Sequence, residues 1–284
     1  MGKRIKGIGL INHPYKLLVV DIDGTLIARN RNALLDEDKE ALAKAGDLGI
    51  KVSLSTGRSP VTSLKIIDQL LLNGYHIFFD GALVSNPNEG EEVYIQPISK
   101  AVGMEAVEFA HEHAINLELF STTRYFSERE TWVSEVRRKN WGIESTITDF
   151  TDIWEREKII KAAIVACSPE ERAKADSFRL QFSDKLNFYY WTPVLSGTSI
   201  DFISIVAPEV SKGEALKALA SHLGISLNEV MAIGDSTNDI PLLSIAGLSI
   251  AMGNALDEVK AVTGHVTLDI DHGGVAAAIK KFLL

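Results

Sequence analysis

The run Lys16 to Ile27, KLLVVDIDGTLI, sets the terms for the rest of the chain. Leu17 to Val20 are apolar and end in two valines, the composition of a short buried strand, and that strand runs into two aspartates before Gly24 and Thr25. With i, i+2 spacing on extended backbone, Asp21 and Asp23 point to one side while Ile22 turns into the protein. Two carboxylates this close repel unless a cation sits between them or one holds a proton. A Mg²⁺ shared by Asp21, a further carboxylate and a backbone carbonyl meets the first condition, and the other acid is then available as a general acid. Gly24 permits the sharp turn this needs, and Thr25 offers a hydroxyl or amide to an anion. Taken alone, the stretch equally fits a loop with two solvated acids.

Outward from this run, short β-rich segments alternate with amphipathic helical ones: KLLVV, a helix over 36–48, IKVSLS, a helix over 60–72, then HIFF. The C-terminal third repeats the habit, with helices near 212–223, 239–246 and 274–282 around EVMAIG and LSIAM. The two ends together predict one α/β core, a doubly wound, Rossmann-like parallel sheet. Between them the rhythm changes to a helix near 101–113, a hairpin from INLELF and TRYFS, a helix over 129–139, KIIKAAIVA, a helix after Pro169, and the strands KLNFYYW and TSIDFISIV. This reads as an α+β cap at 85–198 inserted into a core made of 1–84 and 199–284. All four tryptophans, at 132, 141, 154 and 191, fall in the insert and are expected mainly to pack.

A chain of 284 residues with 46% hydrophobic and 24% charged residues has ample material for a core. Its net charge of -9 and the lack of a basic cluster argue against nucleic acid or an anionic membrane as partner. The single cysteine, Cys167, excludes an intrachain disulfide and is expected as a buried structural thiol. The basic N-terminus has only a short apolar stretch, interrupted by Asn12, His13 and Pro14, with no cleavage site of small residues; no run approaches the roughly 20 apolar residues that span a bilayer. The expectation is a cytoplasmic protein, of undetermined oligomeric state.

At the carboxyl ends of a parallel sheet, strand-end side chains gather where ligands bind. Four such stretches are present: DIDGT, STGR (55–58), SKG (211–213) opening a helix, and GDSTND (234–239) after VMAI. In this order, with AMGNA (251–255) and an insert between the second and third, they resemble the haloacid dehalogenase superfamily of phosphohydrolases, Cof-type subfamily, over 16–284. The resemblance implies that Asp21 attacks phosphorus to form an aspartyl-phosphate and that Asp23 moves protons to the leaving alcohol and from water. It implies Mg²⁺ held by Asp21, the Asp23 backbone carbonyl and Asp235, with Asp239 as ligand or as an orienting group for Lys212. Thr56, the Gly57 amide, Lys212 and Asn238 would hold the phosphoryl group. Arg58 either closes over the phosphate, binds the cap or pairs with a core acid.

One departure from the subfamily is FFDGALV (78–84), where Asp80 replaces the usual Asn and adds negative charge near an anion. Another is the tail, where His265 and His272 read as solvated. The implied function is a Mg²⁺-dependent phosphatase for a small phosphorylated metabolite, a sugar phosphate or phosphorylated cofactor. A phosphomutase would need a second phosphate site, for which Arg124, Arg129, Arg137, Arg138 and Lys139 are candidates, though helical spacing turns most of them to solvent. A phosphate sensor without catalysis would need neither Asp21 nor Asp23.

Overall fold

The computed structural model describes residues 14–28, 33–195 and 197–284; most of the basic N-terminal stretch, 1–13, lies outside them. The chain opens with β1 (Leu17–Asp21), α1 (Asp36–Asp47), β2 (Lys51–Ser55), α2 (Pro60–Gln69), β3 (His76–Phe78), β4 (Leu83–Asn86) and β5 (Glu91–Ile95). The insert follows with α3 (Lys100–Glu112), β6 (Leu117–Phe120), β7 (Tyr125–Ser127), α4 (Trp132–Trp141), β8 (Ser145–Ile147), α5 (Phe150–Ile153), β9 (Lys161–Ala166) and α6 (Pro169–Phe182). It ends with β10 (Asn187–Trp191), β11 (Val194–Leu195), β12 (Thr198–Ser199) and β13 (Asp201–Val206). The chain then returns through α7 (Lys212–Leu223), β14 (Val230–Gly234), α8 (Ile240–Leu243), β15 (Leu248–Ala251), α9 (Asp257–Ala261), β16 (His265–Val266) and α10 (Gly274–Phe282).

The core sheet has eight strands in the order β16-β15-β14-β1-β2-β3-β4-β5. Pairing is parallel from β16 to β3 and antiparallel for β3/β4 and β4/β5, so the expected parallel sheet is a mixed one with an antiparallel edge. β1 is buried along its whole length because it sits between β14 and β2 under both helical layers, which is why LLVV can be apolar on both faces. Chain direction across the sheet reverses at β1: β2 and β3 follow on one side, β14 and β15 on the other. That reversal opens a crevice at the carboxyl ends of β1, β2 and β14.

The insert forms its own six-stranded sheet, β10-β13-β9-β6-β7-β8, antiparallel except for β7/β8. Its core gathers Phe150, Phe178, Phe182, Ile164 and Ile205. The expected boundaries at 85 and 198 do not coincide with the sheet boundaries. The β4–β5 hairpin, through Ile95, adds to the core sheet because β4 pairs directly with β3, and β13 lies between β10 and β9 in the second sheet. Phe120, Tyr125, Ile160 and Ala163 of the insert pack into the main hydrophobic core, seating the cap on the crevice. Among the described residues, no helix is long and apolar enough to cross a membrane.

Local signals fix the helix ends. Ser59 caps α2 by accepting from the Thr62 amide, with Pro60 in the first turn. Ser211 caps α7 in the same way, and α7 stops at Gly224, which is left-handed at φ 64. Glu171 closes a capping box with Ser168 and also accepts from Cys167 N and Sγ. Cys167 is therefore half-buried and polar-bonded, not sunk in the core as expected, because it lies past the end of β9, in the link to the α6 cap.

Candidate active site

Asp21 ends β1, 4% exposed. Its Oδ1 receives the Lys212 ammonium at 2.6 Å, and its Oδ2 is buried without a hydrogen-bond partner among the described residues. Lys212 opens α7 with its side chain fully buried, and also reaches Asp239 Oδ1 at 2.6 Å. Burial works to lower the Lys212 pKa, but Asp21 and Asp239 outweigh it and hold the ammonium above the usual lysine range. Burial, then Asp239, pushes Asp21 well above the usual carboxylate range, with Asp235 adding to the rise and Lys212 opposing it.

Asp235 follows β14, and its carboxylate lies against the backbone of Gly24: a Cβ on Gly24, at φ +98, would overlap it. Thr25 is wholly buried; its hydroxyl donates to Asp235 Oδ1 at 3.2 Å and its amide to the Ile22 carbonyl at 3.3 Å. Both Thr25 donors, expected to serve an anion, are thus engaged within the protein, the hydroxyl by the Asp235 carboxylate and the amide by the loop itself. Asp239 has both oxygens engaged, Oδ1 by Lys212 and Oδ2 by the amides of Asp235 and Ser236 at 3.0 Å each, so it orients Lys212 and tightens the turn.

Asp21, Asp235 and Asp239 each bring a carboxylate oxygen to within 4.8 Å of the others. The residues fit a hard divalent cation. The donors are all oxygen, the Asp21 Oδ2 lacks a partner among the described residues, and the three carboxylates crowd together while Lys212 pairs with Asp21 and Asp239.

Asp23 turns toward the cavity, where Arg58 grips it with both arms, Nε to Oδ2 at 2.8 Å and a terminal nitrogen to Oδ1 at 2.5 Å. Of the three readings open for Arg58, the structure has the pairing with a core acid. Thr56, 1% exposed, accepts the Arg58 amide on its hydroxyl at 3.1 Å, so its own proton remains for an anion. Gly57 lines the cavity beside it. Asn238 donates one amide hydrogen to Asp80 Oδ1 at 2.9 Å and lines the same cavity.

The cavity, about 170 Å³, lies between core and cap. The core supplies Asp21, Asp23, Gly57, Arg58 and Asn238; the cap supplies Lys161 and an aromatic wall that includes Trp141, Tyr190, Trp191 and Phe202. Two of the four tryptophans thus face the cavity, whereas Trp154 packs in the cap core against Gly103. Sequence reasoning missed Lys161, whose only signal is a lysine placed inside the apolar run IIKAAIVA, and named Arg137 only among five cap cations of which most were expected to face solvent. Arg137 is instead nearly buried on Glu118 and over the rings of Phe120 and Tyr125, because α4 lays that face on the sheet.

A family model described as haloacid dehalogenase-like hydrolase matches residues 18–279. The chain belongs to that family. It is a hydrolase of the phosphatase kind, as its relatives and structural neighbours are. It is 29% identical to a phosphatase of Bacillus subtilis over 94% of this chain and 100% of that one. It is also 29% identical to the 5-amino-6-(5-phospho-D-ribitylamino)uracil phosphatase YcsE of the same organism, over 95% and 96%. A 28% match to a chloroplastic endoribonuclease of Arabidopsis thaliana takes in 97% of this chain but only 48% of that protein, so the chain spans about half that relative's length. Among solved structures, a haloacid dehalogenase-like hydrolase from Bacteroides thetaiotaomicron superposes with a TM-score of 0.79 at 25% identity, covering 94% of this chain and 99% of that one. A subclass IIB sugar phosphatase superposes with a TM-score of 0.75 at 25% identity, covering 94% and 98%.

Proposed function

We propose that this phosphatase hydrolyses small phosphomonoesters, sugar phosphates or phosphorylated cofactors, through an aspartyl-phosphate on Asp21, with Mg²⁺ held by Asp21, Asp235 and the Asp23 carbonyl. The observation that carries the reading is the buried Asp21 carboxylate, with one oxygen on Lys212 and the other without a partner, at the floor of a cavity that also holds Asp23. Asp21 attacks phosphorus, and the bond to the leaving oxygen breaks as Asp23 gives that oxygen a proton. Water then attacks the same phosphorus, gives its proton to Asp23, and releases inorganic phosphate and free Asp21. Thr56, Gly57 and Lys212 hold the phosphoryl oxygens while Asp239 keeps Lys212 aimed. When bound, the cation shields the anionic nucleophile from the anionic substrate. Asp23 must leave the grip of Arg58 to move protons, which frees that guanidinium for the phosphoryl group.

The leaving group is small, because the cap closes over the cavity and lines it with bulky rings. The relatives fit this range: one is named for a ribitylaminouracil phosphate and one neighbour for sugar phosphates. The mutase alternative is weakened because, of its five candidate cations, only Arg137 lines this cavity, and Glu118 already engages it. Phosphate release from p-nitrophenyl phosphate and a panel of sugar, nucleotide, pyridoxal and flavin phosphates tests the proposal. Activity is expected to need Mg²⁺, to stop with EDTA, and to fall about 10³-fold or more in Asp21→Asn and Asp23→Asn. Full activity of Asp21→Asn in EDTA would sink it.

A further inference from the structure

Two charged side chains, the buried Asp80 and the partly buried Lys161, line this cavity. Asp80 is 3% exposed, and its Oδ2 has no hydrogen-bond partner among the described residues. Lys161, at the start of cap strand β9, donates to the Gly57 carbonyl at 3.2 Å and lies over the rings of Phe79 and Phe120. Both flank Gly57: a Cβ there would sit 2.7 Å from Asp80 Oδ1, on the residue whose carbonyl Lys161 holds. Burial draws the Lys161 pKa down to about 8 against the pull of Asp80, so the ammonium keeps its charge at neutral pH. The backbone is bent to put Asp80 here. Phe79 and Asp80 are consecutive residues with φ of +52 and +57, a left-handed conformation unfavourable for L side chains.

A carboxylate oxygen lacking a donor and an ammonium with further N–H groups to give are complementary to a group that both donates and accepts. Beside the phosphoryl position, the substrate group with that property is a hydroxyl close to the ester. We infer that Asp80 and Lys161 are specificity-determining residues that together read a hydroxyl near the phosphoester, so that the enzyme prefers phosphates of polyols and sugars to phosphates of plain alkyl alcohols. The inference rests on the chain being a phosphomonoesterase of the kind proposed above. An unhydroxylated substrate leaves both charges unpaired in a closed site, a penalty that supports large discrimination.

The test compares kcat/KM for ribitol 5-phosphate and pentyl phosphate, chains of equal length with and without hydroxyls, with p-nitrophenyl phosphate as reference. The wild-type ratio is expected to be about 100-fold or more, to fall about tenfold in Asp80→Asn and in Lys161→Met, and to recover in part in Lys161→Arg. Because it is a ratio, a loss of folded protein cancels; if a variant fails to fold, the wild-type ratio decides. A wild-type ratio near one, or one unchanged in both variants, overturns the inference while turnover of p-nitrophenyl phosphate leaves the phosphatase reading standing. Absence of turnover on all three substrates overturns both.

Discussion

Gly24 shows how one missing side chain shapes the chemistry. Its left-handed backbone and bare Cα let the Asp235 carboxylate approach the β1 loop, and any Cβ would displace that carboxylate. Gly24→Ala is therefore expected to raise the Mg²⁺ concentration for half-maximal activity about tenfold or more, read from a Mg²⁺ titration of phosphate release. An unchanged titration would remove Asp235 from the metal site. At this scale the sequence was informative where residue type dictates role: paired acids after an apolar strand, a lysine opening a helix, a glycine at a forced turn. It was silent where role depends on a distant partner. Thr25 looks like an anion donor until Asp235, 210 positions away, takes its hydroxyl. Lys161 is one lysine in an apolar run until the fold places it on Gly57, 104 positions away.

Among the elements, α3 reverses an ordinary rule. Replacing a mid-helix glycine by alanine commonly adds roughly 0.5–1 kcal/mol of stability. At Gly103, however, the added methyl would overlap the Trp154 ring, which packs against the helix within the cap core. Gly103→Ala is expected to destabilise the cap by about 1–3 kcal/mol, measured by urea unfolding monitored through tryptophan emission; a gain in stability would show that the ring moves freely. Helices were legible because their apolar spacing and end signals are local: the α7 and α10 spans match the sequence expectation, and α1 and α3 lie within about a residue of it. Strand partnership was not legible, since nothing in the short run LVSN says whether it pairs with β3 or with the insert, and so the boundary at 85 fell one hairpin too early.

For the molecule as a whole, stability is tied to pH through a histidine of the core sheet. His76 in β3 is fully buried; its Nδ1 accepts the Leu54 amide at 3.1 Å and its Nε2 has no partner among the described residues. Burial lowers its pKa from 6.5 to about 4, so below pH 6.5 the unfolded chain binds a proton that the folded chain refuses. Its neutral form supports folding in full above pH 6.5, and that contribution is lost as pH falls toward 4, by about 2 kcal/mol between pH 7 and pH 5. His76→Asn keeps an acceptor for Leu54 and is expected to flatten this part of the acid limb in urea unfolding; an identical limb would rule the histidine out. The core sheet also has two ends. At one, β16 is only two residues long; at the other, β5 points Glu91 and Glu92 into solvent and the β4–β5 register slips between Val84 and Ser85. A short strand at one end and a charged, bulged one at the other offer a second copy no flat row of amides to add to. Glu91→Val/Glu92→Val is expected to raise light scattering at high protein concentration, whereas the natural chain, crowded against its own copies, is guarded at both rims of the sheet from stacking into aggregates.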